Sequence, residues 1–119
     1  MLDDVSIGAL HVALNGLATR QRAISDDIAN VNTPYFTARS VSFEGDLKSA
    51  LAGGGDLSTA LADVTPTTQL STAQPGLTGN NVDLAAETVD SVHTQLAYEL
   101  GLRAIGDRFS LLRTAVRGA

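Results

Sequence analysis

Ala29-Asn30-Val31-Asn32-Thr33-Pro34-Tyr35-Phe36 closes a long heptad-patterned run, and the two together decide the fold. Upstream, the seam Ile7, Leu10, Leu14, Leu17, Gln21, Ile24, Ile28, Val31 alternates steps of three and four residues, with Gln21 as its only polar member. That spacing lays one apolar stripe along an α-helix and turns it toward a partner helix. The stripe stops where Pro34 pushes Thr33 out of the α region, and Asn30 and Asn32 tolerate the dihedrals of a helix end. With Asp3 or Asp4 capping the first turn, the sequence predicts a helix to about Val31, a rod of roughly 40 Å. Such a narrow stripe is not stable in water alone. Gln21 either fixes the register of the pairing as a buried polar group or faces water where the pair is open.

Beyond the turn, Phe36, Val41 and Phe43 sit among Thr37, Ser40 and Ser42 in a short stretch that reads as extended or irregular. Phe43, Leu47 and Leu51 recur at i, i+4 and predict two helical turns ending at Gly53-Gly54-Gly55, whose ordering entropy disfavours any element across them. From Gly53 to about Asn81, small and polar residues with Pro66 and Pro75 predict a linker that is mobile or orders only on assembly. Asn80, Asn81 and Asp83 are candidate caps of a second helix running to about Val116. It carries one stripe at Val82, Ala85, Val89, Val92 and Leu96 and another, offset by one position, at Tyr98, Leu102, Ile105, Phe109, Leu112 and Val116. The seam therefore rotates near Leu96 to Leu100. Gly101 and Gly106, just beyond, mark either close helix approach or tolerated weak spots. Glu99 and Arg103 are spaced as an i, i+4 ion pair.

The expected fold is all-α: two long amphipathic terminal helices (1–32 and 82–119) pair as a coiled-coil-like hairpin, and 33–81 is a turn motif and loosely structured middle within one domain. Composition agrees with helices packed along their length. Three Phe, two Tyr and no Trp leave few large anchors, while Ala and Leu abound. Seams of this kind bind further copies as readily as their own chain, so a coiled-coil adaptor or chaperone of discrete size is the rival arrangement.

The net charge of −5 is uneven, since Arg103, Arg108, Arg113 and Arg117 are half of the eight basic residues. They either stabilise a helix C-terminus or dock an acidic partner. A chain this acidic, without a basic-aromatic patch, does not point to nucleic acid. Cysteine is absent, which excludes disulfides and thiolate metal sites. His11 and His93 have no metal-ligand spacing, and Asp3-Asp4 and Asp26-Asp27 are neighbours that point apart on a helix, suited to caps or a solvated face. The triple glycine lacks the Lys and Ser/Thr of a phosphate loop. No enzyme, cofactor, metal or small-molecule substrate is expected. The start Met1-Leu2-Asp3-Asp4 is unlike a secretory signal, and no run approaches the ~20 apolar residues of a membrane span.

Three segments resemble the flagellar rod, hook and hook-associated axial proteins. Ser25-Asp26-Asp27-Ile28-Ala29-Asn30-Val31-Asn32-Thr33-Pro34 is similar to the N-terminal rod signature of Ala-Asn, two variable residues, Thr-Pro, Gly and an aromatic. Thr37-Ala38-Arg39-Ser40-Val41-Ser42-Phe43 resembles the stretch after it. Gly79-Asn80-Asn81-Val82-Asp83-Leu84, Gln95-Leu96-Ala97-Tyr98 and Arg108-Phe109-Ser110-Leu111-Leu112-Arg113 resemble the C-terminal helix of a short rod member. The resemblance implies a structural subunit of the proximal rod of the bacterial flagellar basal body, self-assembling through its terminal helices. It also implies export by the flagellar type III apparatus without a cleaved signal. Its partners would be other copies, other rod proteins, the inner-membrane ring and the export apparatus. The turn residues Ala29, Asn30, Thr33, Pro34, Tyr35 and Phe36 and the two seams are then the assembly residues. In one place the chain departs: Tyr35 occupies the signature's Gly, with Phe36 at the aromatic position. A Pro-Gly pair suits a type II turn, so Tyr35 predicts a type I or open turn instead.

Overall fold

The computed structural model describes residues 2–118, with the side chains of Leu2 and Asp3 excepted, so a cap by Asp3 lies outside the described residues. Two long helices, α1 (Leu2–Ala29) and α4 (Leu84–Arg117), form the termini. Between them run β1 (Arg39–Ser42), α2 (Glu44–Ala52), α3 (Leu57–Ala62) and β2 (Thr67–Leu70). β1 and β2 pair antiparallel with Arg39 opposite Leu70 and Ser42 opposite Thr67. The chain is thus mostly helical but not all-α.

The middle segment carries these four short elements, and α1 packs against β1, α2 and α3. Phe43 is buried, and its ring lies so close over Gly16 that a Cβ there would meet ring carbons at 2.4–2.5 Å. Arg20 stacks on the same ring, 5.0 Å from its centroid, and donates from Nη2 and Nε to the Val41 carbonyl at 2.8 and 3.2 Å. Leu61 of α3 reaches Gly8, one turn or two from the α1 start. Phe43, Val41, Ala38, Leu61, Ile24 and Leu14 form the buried apolar core. The glycine run does interrupt helix, because α2 stops at Ala52 and α3 opens with Asp56 accepting from the Ser58 N–H.

α4 packs along α1, its most extensive neighbour. The radius of gyration is 18.0 Å and the extents are 66 × 29 × 14 Å, whereas a compact chain of this length would have a radius near 13–14 Å. The molecule is a slender rod whose core is one layer deep.

Candidate functional site

At the end of α1 the backbone leaves the helix through hydrogen bonds of Asn30 N–H to Asp26 and Asp27 carbonyls and of Val31 N–H to Ile28. Asn30 and Asn32 keep negative φ, and the residue that crosses over is Tyr35, at φ 61°. Phe36 N–H donates to the Thr33 carbonyl at 3.3 Å, so Pro34 and Tyr35 are the two central residues. Proline first and positive φ second is the type II arrangement. The type I or open turn expected from Tyr35 is therefore overturned. What holds a tyrosine there is a clasp from the far side of the chain. Tyr35 N–H donates to the Thr78 carbonyl at 3.0 Å, and its ring lies against Gly79, itself at φ 77°. Asn80 Nδ2 donates to the Asn30 and Thr33 carbonyls, both at 2.8 Å, while its Oδ1 accepts from Val82 N–H. Asn81 Oδ1 accepts from Ala38 N–H at 2.7 Å. Asn80 and Asn81 thus join the two ends of the middle segment, and Asp83 alone caps α4, accepting from Ala86 N–H. Tyr35 remains 84% exposed.

Asp27 is fully buried, contrary to a solvated-face role. Its Oδ2 accepts from Arg39 N–H at 2.8 Å, anchoring β1 on α1, while Oδ1 has no hydrogen-bond partner. Its neighbour Asp26 is exposed and pairs with the Arg39 guanidinium. Burial pushes the Asp27 carboxyl above its usual range, against the pull of that N–H. Nearby, Glu87 on α4 is pushed up to about 7, first by burial and then by the negative charges of Asp27, Asp90 and Asp83. Glu87, Asp90, Arg20, Arg39 and His93 line a cavity of about 400 Å³ between α1, β1 and α4. Sequence reasoning missed Asp27, although its i+3 offset from the seam residue Ile24 places it on an inward side. Among the described residues no group of three or more His, Asp or Glu is placed to hold a metal.

The seam residues sit as follows. On α1, Leu14 and Ile24 are buried and Ile7, Leu10, Leu17, Gln21 and Ile28 are half-buried, as is Val31 in the turn, since the helix stops at Ala29 and not at Val31. Gln21 Nε2 donates to Ser91 Oγ of α4 at 2.9 Å, while its Oε1 is buried without a partner. A Cβ at Gly101 would stand 2.8 Å from Leu14, a close approach, whereas nothing lies within 4 Å of one at Gly106. On α4 most of the apolar stripes do not meet α1: Val89, Val92, Leu96, Leu102, Phe109, Leu112 and Val116 are exposed, and only Tyr98 and Ile105 are half-buried. The sheltered residues are instead Glu87, Ser91, Thr94, Tyr98, Gly101, Ile105 and Arg108, a 4-3 repeat of mostly polar and small side chains, with Ala97 and Ala104 beside it. Glu99 and Arg103 both point to solvent and form no ion pair, contrary to their spacing.

No family model matches the chain. Curated relatives do. The flagellar basal body rod protein FlgB of Escherichia coli (strain K12) is 31% identical over 123 residues, which cover 88% of this chain and 89% of that one. The chain belongs to the FlgB family. FlgB of Salmonella typhimurium is 29% identical over 99% of both chains, and FlgB of Borrelia hermsii 30% identical over 82% of this chain and 84% of its own. As a member of the FlgB family the chain is a structural protein of the flagellar basal body rod, not an enzyme. No described helix is long and apolar enough to cross a membrane.

Proposed function

We propose that the chain is a proximal-rod subunit that assembles through α1 and α4, paired within each copy as a coiled-coil-like hairpin and packed against the helices of neighbouring copies. The observation that carries this reading is the placement of apolar side chains on α4: polar and small residues face α1, while Val89, Val92, Leu96, Phe109, Leu112 and Val116 are left in water. A solitary chain gains nothing from that arrangement, and a run of exposed apolar residues of this extent marks a protein contact. Leu14 against Gly101 and Gln21 against Ser91 support antiparallel pairing inside the copy, since the α4 partner number falls as the α1 number rises. The segments 1–32, 33–81 and 82–119 then act as N-terminal helix, collar and C-terminal helix of one domain. Residues Ala29, Asn30, Thr33, Pro34, Tyr35 and Phe36 present the collar to the next subunit. The partners are other copies, other rod proteins and the inner-membrane ring, reached after type III export without a cleaved signal.

Deleting the chain from its host should abolish flagella and arrest assembly at the basal body, with recovery when it is supplied again. Normal motility of the deletion strain would sink the reading.

A further inference from the structure

α4 is divided along its length by charge. From its cap to Gly101 it carries Asp83, Glu87, Asp90 and Glu99 and no Lys or Arg; from Leu102 onward it carries four Arg against Asp107 alone. Each half also has its own exposed apolar stripe. In the first half it is Val89, Val92 and Leu96, flanked by Glu99, whereas Asp90 turns toward the cavity between α1, β1 and α4. In the second it is Phe109, Leu112 and Val116, which with Arg113 and Arg117 line an open apolar groove of about 400 Å³. The second stripe repeats the first after twenty residues, position for position. At 3.6 residues per turn, twenty residues rotate a helix by about 200°, so the stripes lie on opposite faces. The first points away from α1. The second continues the face that Gly101 and Ile105 turn to α1, in a stretch from Phe109 to Gly118 where every residue is exposed.

We infer that copies of this chain join head to tail through α4, the Arg-flanked stripe Phe109, Leu112, Val116 of one copy docking on the acid-flanked stripe Val89, Val92, Leu96 of the next. The inference rests on the reading of the chain as a self-assembling subunit and names the surface by which it does so. Opposite faces decide between an open and a closed arrangement. One partner helix cannot cover both stripes of α4 at once, so each copy needs two different neighbours, and a contact between two different patches propagates. A repeat offset of twenty residues sets neighbouring copies about 30 Å apart along the helix axis. Charge complementarity selects the pairing, because either half against its like would place acid beside acid or Arg beside Arg.

The absence of cysteine from the chain allows a direct test. Mixed V92C and L112C chains should cross-link on oxidation, while each alone does so far less; both substitutions are at exposed positions, and unchanged helical circular dichroism confirms folding. At low salt R113E/R117E should associate about tenfold more weakly in sedimentation and E99K a few-fold more weakly, and an equimolar mixture of the two should regain association. Same-residue cross-links as strong as mixed ones, a mixture that never cross-links, or reversals without effect would overturn the interface. The rod reading fails separately. A motile deletion strain sinks it whatever the cross-links show, whereas a non-motile deletion strain fully rescued by R113E/R117E keeps the rod and removes this interface.

Discussion

Tyr35 stands where glycine is the residue without strain, and a side chain in the left-handed region costs about 1–2 kcal/mol. Asn80 and Gly79 offset it from across the chain, the first by tying off the Asn30 and Thr33 carbonyls, the second by leaving room for the ring. Asn80→Ala strips both carbonyls of their donor and should lower the free energy of unfolding in urea by about 1–2 kcal/mol. Gly79→Ala meets two objections, a positive φ and a Cβ 2.5 Å from Tyr35 Cδ1, and should cost about 2–3 kcal/mol. Because part of that cost is the ring itself, Gly79→Ala should cost measurably less in a Tyr35→Gly background. Equal costs in the two backgrounds would mean that the ring does not bear on Gly79.

Among the elements, a glycine on α1 and one on α4 separate two kinds of helix position. Gly16→Ala drives a Cβ into the buried Phe43 ring and should destabilise by about 2 kcal/mol or more, as overpacking does. Gly106→Ala meets nothing within 4 Å and should stabilise by about 0.5–1 kcal/mol through helix propensity alone. Thermal melts of the two variants should therefore move in opposite directions. The same contrast explains what was legible in the sequence. The long helices, the break at Gly53-Gly54-Gly55 and the cap at Asp83 follow from local rules of periodicity and capping, which act within a few residues. β1 with β2, the burial of Asp27 and the bonds of Asn80 join positions 12 to 50 residues apart, and no local pattern encodes them. Of the turn, the position was legible and the conformation was not, since Tyr35 is held by Thr78 and Gly79. The inner face of α4 was hidden for another reason. Its heptad is written mostly in Glu, Ser, Thr, Gly and Arg, so counting apolar residues finds only Tyr98 and Ile105 of it and otherwise the exposed residues.

At the scale of the whole molecule, three elements meet where Asp27 and Glu87 are sheltered, so the state of those carboxyls bears on how α1, β1 and α4 hold together. The groups lining that region are Arg20 from α1, Arg39 from β1, and Asp90 and His93 from α4, with Asp83 at the α4 cap adding negative charge. Glu87 binds its proton up to about pH 7 when folded and releases it near its ordinary value of 4.5 when unfolded. A carboxyl raised in this way favours the folded state at low pH, and that contribution is lost as pH rises toward and through 7. The full shift corresponds to about 3 kcal/mol, and partial exposure of the side chain with screening reduces it to about 1–2 kcal/mol. Glu87→Gln keeps the shape and removes the titration. The variant should be more stable than the parent by that amount at pH 8, with the gap narrowing steadily toward pH 5, as urea unfolding across the range will show. A gap of constant size would assign the effect to hydrogen bonding of the amide, and a gap that widened toward low pH would reverse the sign of the argument.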